Sequence, residues 1–405
     1  MTDTLPGTET VPAFPMDRAA KCPFDPPPRL REAEPISRVR IWDGSTPWLI
    51  TGYEAQRAVL ADQRFSADAR KAGFPAQSAA VLARRENTRS FIAMDDPEHD
   101  RHRKMLTRNF MIKRVEAMRP RVQEIVDGLI DDMLAGDKPA DLVTDFALPV
   151  PSLVICELLG VPYADHDFFQ ARSKKLVSRS TLLEEAVKAG DELREYLLDL
   201  MAAKEKEPTD DLIGRLVTDQ LARGELTRTE VADMGTLMLI AGHETTANMI
   251  ALGTVALFEH PSQLAELRDT DDPKLIANAV EELLRYLTIV HTGRRRVATE
   301  DVEVAGQLVR AGEGVILAND AGNRDEAAFP EPDRLDIHRQ ARHHIAFGYG
   351  VHQCLGQPLA RMELQVVYST LYRRIPTLEL AIPFEEIQFK HDAIVYGVHS
   401  LPVTW

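Results

Sequence analysis

A single cysteine, Cys354, lies in a glycine-rich segment, residues 347–356, directly before a predicted helix. Gln357 and Pro358 begin that helix, and proline suits a first turn because its missing N–H would have no intrahelical partner. Unpaired N–H groups and the positive end of the helix dipole favour an ionised sulfur, so we expect the pKa of this thiol to be lowered. A thiolate fixed in this way can bind haem iron and favour O–O cleavage.

Other interpretations of this segment exist. A buried structural cysteine is the simplest one. A zinc site is another, since His343, His344 and His352 lie close to Cys354 in sequence, although no CxxC pair accompanies them. The tripeptide GYG begins like a dinucleotide fingerprint, but Gln353 stands where the third glycine belongs and no strand–helix–strand unit follows, which excludes it.

Residues 228–260 form an unusually long apolar segment with helical spacing. Thr227 and Glu230 form a capping box at its start, and His260 followed by Pro261 predicts its end. At 1.5 Å per residue such a helix is about 50 Å long. We expect it to cross the whole molecule.

Polar residues interrupt the middle of this helix, where Gly242 precedes the sequence HETT. His-Glu begins like the HExxH zinc motif, but Ala247 replaces the second histidine and excludes it. Glycine in a helix interior costs about 1 kcal/mol relative to alanine, which indicates that something approaches the backbone closely there. The carboxyl of Glu244 and the hydroxyl of Thr245 can relay protons to a ligand held over the glycine. A structural kink with internally satisfied side chains is the alternative.

Two further charged features accompany these groups. Glu282 and Arg285 are three residues apart on a predicted helix, so they share a face and can form an ion pair. We expect Arg334, in the loop that precedes the cysteine segment, to reach the same acid.

Apolar residues recur with helical spacing over most of the interior, so the sequence predicts a mainly α protein. The predicted helices cover 115–135, 144–160, 183–203, 228–260, 274–287 and 358–373. Alternating, β-branched segments predict small antiparallel β-sheets at the periphery, at 38–42, 47–51, 294–298, 302–304 and 308–310. No linker interrupts the 405 residues, so we expect a single domain over 1–405. Residues 1–35 carry 8 of the 25 prolines and are expected to form an extended arm packed on it.

The formal net charge of −15 argues against nucleic acid as a partner, because binding phosphate needs a cationic surface. Three scattered cysteines, Cys22, Cys156 and Cys354, predict no disulfide framework. The start, MTDTLPGTET, has no features of an export signal, and no apolar run reaches about 18 residues. We therefore expect a cytoplasmic protein with no membrane span.

One segment is basic although the chain as a whole is acidic. Residues 101–121 hold eight basic residues and a single acid, Glu116. The basic residues are Arg101, Arg103, Lys104, Arg108, Lys113, Arg114, Arg119 and Arg121. They form either a solvated helix surface or a face for an acidic partner.

Taken together, four motifs resemble those of a cytochrome P-450, of the soluble bacterial kind found in actinomycetes. They are AGHETT at 241–246, Glu282 with Arg285, the loop with Arg334, and FGYGVHQCLG at 347–356, in that order over almost the whole chain. The resemblance implies the cytochrome P-450 fold, with the long central helix over the haem. It also implies haem b as cofactor and a monooxygenase that hydroxylates small molecules.

The resemblance assigns roles to individual residues. Cys354 would be the haem ligand, with Phe347 packed near its sulfur, and Glu244 and Thr245 match the acid and alcohol that deliver protons to dioxygen. The residues that match the partners of the haem propionates are His99, Arg103, Arg296 and His352. Arg294 lies on the same strand face by alternation, so only the resemblance selects Arg296.

The resemblance also implies the partners, which are O2 and a bulky apolar substrate such as a macrolide, sterol-like, statin-like or drug-like compound. The chain has no flavin or iron–sulfur motif, so electrons would come from a ferredoxin and an NAD(P)H-dependent ferredoxin reductase. We expect the ferredoxin to dock on residues 101–121, steered by charge.

The candidates for pairing with a substrate carboxylate are Arg70, Lys71, Arg84 and Arg85. A peroxide-driven haem-thiolate peroxygenase and a non-catalytic thiolate-haem sensor are the alternative functions. The intact pair of Glu244 and Thr245 favours the monooxygenase.

Overall fold

The computed structural model describes residues 11–18, 23–84 and 90–405 and is built mainly from α-helices. The longer helices are α1 (Tyr53–Ala61), α2 (Glu98–Thr107), α3 (Ile112–Ala135), α4 (Pro149–Leu159), α5 (His166–Val177), α6 (Leu183–Lys206), α7 (Arg228–Phe258), α8 (Pro261–Asp269), α9 (Pro273–Leu287) and α10 (Gln357–Arg374). Short helices lie at Pro28–Arg31, Ala79–Arg84, Leu212–Arg215 and Asn319–Gly322, and a π-helical turn, Val143–Ala147, precedes α4. The predicted mainly α class is confirmed.

The 31-residue helix α7 is the central element, as its sequence predicts. Its capping box is present, since the Thr227 side chain accepts from the Glu230 N–H while the Glu230 carboxylate accepts from the Thr227 N–H. The helix ends at Phe258, two residues before the predicted end, because Pro261 already begins α8. Helices α4, α6, α9 and α10 pack around α7, so apolar residues on all its sides are buried.

The strands form small sheets, as predicted. They are β1 (Ile36–Arg38), β2 (Trp48–Ile50), β3 (Phe65–Ser66), β4 (Ala140–Asp141), β5 (Arg294–Ala298), β6 (Val302–Val304), β7 (Gln307–Val309), β8 (Gly314–Leu317), β9 (Glu379–Leu380) and β10 (Pro402–Thr404). One sheet has the order β1-β2-β8-β5-β3, another the order β4-β10-β9, and β6 pairs with β7.

The largest sheet is not wholly antiparallel, because β2 and β8 run parallel. More than 260 residues separate these two strands, which leaves ample chain for the crossover that parallel pairing requires. Strand β8 was missed from the sequence because all four of its residues are buried, so it has no alternation of apolar and polar positions.

The described part of the N-terminal segment packs on this sheet. Phe14 donates its N–H to the Arg40 carbonyl at 2.8 Å, and Phe14 and Leu30 share an apolar cluster with Leu49 and Ile316. Residues 1–10 and 19–22, including Cys22, lie outside the described residues. Among the helices that are described, none combines the length and apolarity needed to span a membrane.

Candidate functional site

Backbone hydrogen bonds hold Cys354 in a tight loop before α10. Its N–H donates to the Phe347 carbonyl at 2.9 Å, and the Gln353 N–H donates to the Gly350 carbonyl at 3.0 Å. Gly348 and Gly350 have φ angles of 75° and 72°, in the left-handed region that glycine adopts without strain. The glycines of this segment therefore shape the turn that presents the thiol.

The pKa of the Cys354 thiol differs from the sequence prediction. Burial raises this pKa, whereas the Arg294 guanidinium, the Gly356 N–H and the cations Arg103 and Arg361 act in the opposite direction. The prediction of a lowered pKa was wrong for the protein chain alone, because it counted the helix N-terminus but not desolvation. A bound metal ion deprotonates a coordinating thiol outright, so the cations still favour a thiolate ligand.

Cationic and imidazole side chains surround this loop. The rings of His99 and His352 lie 4.0 Å apart between centroids, and Arg103 Nη2 donates to the Gln353 carbonyl at 2.6 Å. Burial, followed by the neighbouring Arg296, lowers the pKa of His352 to about 3. The structure thus brings together the four residues predicted for the propionates.

Several polar atoms of this group lack a partner. His99 Nε2, His352 Nδ1 and Arg294 Nε are buried with no hydrogen bond. Buried polar atoms without partners are costly, and donors among cations suit an anion. Haem, which carries two propionates, fits this set of donors around Cys354.

Arg294 lies among the cations around Cys354 and His352, as Arg296 does. Both arginines therefore project from the same face of β5, as the alternation of side chains along a strand predicts. Arg294 Nη2 donates to the Ala346 carbonyl at 3.0 Å, and a Cβ on Gly348 would lie 2.9 Å from Arg294 Nε. Arg296 Nη1 donates to the Arg295 carbonyl at 2.7 Å. The structure shows no reason to prefer Arg296 over Arg294.

A buried ion network that the sequence analysis missed supports the loop. His344 lies 3.1 Å from Glu281 Oε2, and Arg361 donates to both carboxylate oxygens of Glu281 at 2.5 and 3.0 Å. Although burial opposes it, hydrogen bonds from His344 and Arg361 lower the pKa of Glu281 to about 2. The Arg361 guanidinium also covers the Phe347 ring at 4.6 Å, which fixes the start of the cysteine segment.

The predicted pair of Glu282 and Arg285 is present and fully buried. Arg285 donates to both carboxylate oxygens at 2.7 and 2.8 Å. The prediction that Arg334 reaches Glu282 was wrong, because Arg339 Nε makes that contact at 3.1 Å. Arg334 instead has an exposed guanidinium near Glu331, and only its backbone carbonyl faces Arg285.

The acid and alcohol of α7 make their hydrogen bonds within that helix, and Asn248 of the same helix links the acid to Lys390. Glu244 is buried, and Asn248 Nδ2 approaches its Oε2 at 3.4 Å. Lys390 Nζ donates to Asn248 Oδ1 at 3.0 Å. The Thr245 hydroxyl donates to the Ala241 carbonyl at 2.6 Å. Neither Asn248 nor Lys390 was found from the sequence, because no motif marks them.

Gly242 serves a different purpose from the one expected. A Cβ at this position would lie 2.8 Å from Cδ1 of Ile155 in α4. The group that approaches the backbone closely is therefore a side chain of a packed helix, and the glycine gives no evidence of a ligand above it.

The structure does not support a zinc site at Cys354. His344 uses both ring nitrogens, on Glu281 and the Ala346 N–H, and His343 stacks on Phe329 at 4.4 Å. Within the described residues, the one group close enough to share a metal is Glu98, His102 and Glu230. The Arg101 guanidinium already lies 2.7 Å from His102 Nε2 there.

These features fit a haem-thiolate protein, and comparison with known proteins agrees. The cytochrome P450 family model matches residues 32–375. The chain therefore belongs to the cytochrome P450 family, whose members hold haem through a cysteine thiolate, and it is a monooxygenase.

The chain is similar to several actinomycete proteins over its whole length. Cytochrome P450-SU2 of Streptomyces griseolus is 55% identical over 403 residues, which cover 99% of this chain and 98% of the relative. The crystal structure of GfsF matches with a TM-score of 0.92 at 54% identity and covers 98% of this chain and 100% of that chain. Mycinamicin VIII C21 methyl hydroxylase MycCI from Micromonospora griseorubida, solved with mycinamicin VIII, has a TM-score of 0.92 at 41% identity, with 98% and 100% coverage.

Proposed function

We propose that this protein inserts one oxygen atom of O2 into an unactivated C–H bond of a bulky apolar small molecule, within a single cytoplasmic domain. The observation that carries the proposal is the fixed loop of Cys354 inside a group of cations with unpartnered polar atoms. The cofactor is haem b, which supplies the iron centre for oxygen chemistry when bound. Cys354 holds the iron, Phe347 packs beside the ligand, and the propionate partners are His99, Arg103, Arg296 and His352.

The protons that hydroxylation consumes pass through Glu244 and Thr245. One O2, two electrons and two protons convert a C–H group to a C–OH group and one water. Glu244 offers a buried carboxyl that can take up and release a proton, and Thr245, half-buried at the next position of α7, keeps oxygen lone pairs free to accept a hydrogen bond.

The substrate is a macrolide, sterol-like, statin-like or drug-like molecule. Similarity to a mycinamicin hydroxylase supports a bulky, largely apolar skeleton. Of the candidates for a substrate carboxylate, Arg70 pairs with Asp68 at 2.7 Å and Lys71 lies 3.7 Å from Asp95. The side chains of Arg84 and Arg85 lie outside the described residues.

A ferredoxin, itself reduced by an NAD(P)H-dependent reductase, delivers the electrons at the basic segment. Within the described chain, Lys104, Arg119 and Arg121 pair with acids, whereas Arg108, Lys113 and Arg114 form no ion pair. Exposed Met111 and Ile112 lie between these three cations. Asp210 lies within electrostatic reach of Arg108 and Arg114 but forms its ion pair with Arg215, so these two guanidinium groups stay exposed or half-exposed. A basic rim around apolar side chains suits an acidic protein.

Charge reversal tests this docking surface. The triple variant R108E/K113E/R114E is expected to lower ferredoxin-supported turnover about tenfold or more at low salt and to remove its salt dependence. Reversal of the exposed Arg223, in the variant R223E, is the matched control and should change neither. Unchanged, salt-insensitive turnover of the triple variant would refute docking here.

The carbon monoxide difference spectrum of the reduced protein tests the haem-thiolate assignment. A strongly red-shifted Soret band is expected, and product should form with ferredoxin, reductase, NAD(P)H and O2. Product from hydrogen peroxide alone would favour a peroxygenase. A shifted band with no product from either oxidant over a library of bulky apolar compounds would favour a sensor.

A further inference from the structure

His243 lies in the middle of α7, directly before Glu244, and the proposed function leaves it without a role. Successive residues of a helix are turned by about 100°, so Ala241 and Thr245 share one face of α7. On that face Ala241 is exposed and Thr245 is half-buried, whereas His243 lies on the opposite side and is only 1% exposed. Any part that His243 plays at the Thr245 side must therefore pass through another residue.

The imidazole of His243 is buried without a hydrogen bond. Neither of its ring nitrogens has a partner among the residues that the structure describes. By contrast, the equally buried His344 uses both of its ring nitrogens. Burial lowers the pKa of His243, while the Glu244 carboxylate opposes this change and Lys390 adds to it. A neutral imidazole keeps one N–H donor, and leaving that donor unpaired in the interior costs free energy.

The Glu244 carboxylate lies beside this unpaired ring. His243 Nδ1 is 3.9 Å from Glu244 Oε1, about 1 Å longer than an N–H···O hydrogen bond. Neighbouring side chains of a helix usually diverge, so this distance shows that the carboxylate is turned towards His243. Its other oxygen has only the long contact of 3.4 Å with Asn248 Nδ2. A rotation of the Glu244 side chain therefore closes the gap without moving the helix.

We propose that His243 is a positioning residue for the acid of the proton relay and donates its Nδ1–H to Glu244 Oε1. With His243 on one oxygen and Asn248 on the other, the plane of the carboxyl group is fixed. A fixed orientation makes proton transfer by an acid efficient, because the donor and acceptor atoms meet in the same geometry at each turnover. This inference rests on the proposed function, since it concerns the acid of that proposed relay.

Amide variants of His243 test which ring nitrogen matters. Asparagine places its amide nitrogen close to the position of Nδ1, whereas glutamine places it close to Nε2, so H243N keeps the donor to Glu244 and H243Q does not. H243L has no donor. In H243Q and H243L the product per NAD(P)H is expected to fall about fivefold and the solvent isotope effect to rise. H243N should stay within about twofold of wild type, as should the control H338L at an exposed histidine.

The ring proton of His243 gives a readout that does not depend on turnover. NMR of the reduced, carbon monoxide-bound protein with 15N-labelled histidine identifies the His243 signals as those that H243N removes. We expect a neutral ring with its proton on Nδ1. The Nδ1–H resonance should move upfield in E244L, which lacks the acceptor, and should stay in place in H338L.

The two amide variants separate positioning from folding. Both bury an equally polar group, so a general loss of stability affects them alike and cannot produce the expected difference. Equal coupling in H243N and H243Q, a ring proton on Nε2 alone, or a resonance that is unmoved in E244L would each overturn the proposal. A wild-type protein that forms no product would instead overturn the proposed function, and the ring-proton result would then decide the contact between His243 and Glu244 by itself.

Discussion

Asn248 connects two groups of opposite charge, since its Oδ1 accepts from Lys390 Nζ at 3.0 Å and its Nδ2 lies 3.4 Å from Glu244 Oε2. Lys390 is half-buried, whereas Glu244 is buried. Burial lowers the pKa of Lys390, and the Glu244 carboxylate opposes this change. Gly397 leaves room for the contact, because a Cβ there would lie 1.9 Å from Asn248 Oδ1. The arrangement couples Glu244 through Asn248 to Lys390, which is the more exposed of the two charged groups.

Replacing Lys390 should therefore slow proton supply. In K390M we expect the amount of product per NAD(P)H to fall several-fold and the solvent isotope effect to rise, while E244Q should lose about 100-fold in rate. The exposed lysine variant K274M is the control. A K390M enzyme with wild-type coupling and isotope effect would show that Glu244 is supplied by another route.

The pH dependence of stability should carry a contribution from Glu363 in α10. Its side chain is buried, Oε2 has no partner, and burial raises its pKa from 4.5 to about 8. Between these two values the folded protein binds more protons at this site than the unfolded chain does, so stability falls as pH rises. Between pH 5 and pH 9 the loss is about 4 kcal/mol.

The change in stability between pH 5 and pH 9 measures this effect in denaturant unfolding. E363Q cannot ionise, so its stability should decline less over that range than that of wild type. The new amide can change the free energy of unfolding by a pH-independent amount, but that amount cancels because only the difference between pH 5 and pH 9 is compared. The exposed-site variant E379Q should follow wild type, and parallel curves for E363Q and wild type would mean that Glu363 ionises normally.

The sequence predicted most of this architecture because strong local signals agree with the packing. The capping box of α7 and the pair of Glu282 and Arg285 are local in sequence, and both are present. The contacts of Arg339 and Lys390 join residues 57 and 142 positions apart, and no periodicity encodes them. The pKa of Cys354 was predicted in the wrong direction because burial is a property of the whole fold.

Two arginines of one loop should differ sharply in their effect on stability. Arg339 contacts buried Glu282, whereas the Arg334 guanidinium is exposed. We expect R339A to lower the free energy of unfolding by about 2 kcal/mol and R334A to change it by less than about 0.5 kcal/mol. Denaturant unfolding of the haem-loaded variants measures both, and equal effects would restore Arg334 as the partner of Glu282.

The rate of haem loss should depend on the face of β5 from which the substituted side chain projects. Arg294 and Arg296 face the group around Cys354, where buried cations stabilise two carboxylates, so R294M and R296M should each lose haem about tenfold faster to apomyoglobin. Arg295 lies on the other face, so R295M should lose haem at the wild-type rate. Faster loss from R295M would place its guanidinium at the haem edge and would contradict the alternation of side chains along β5.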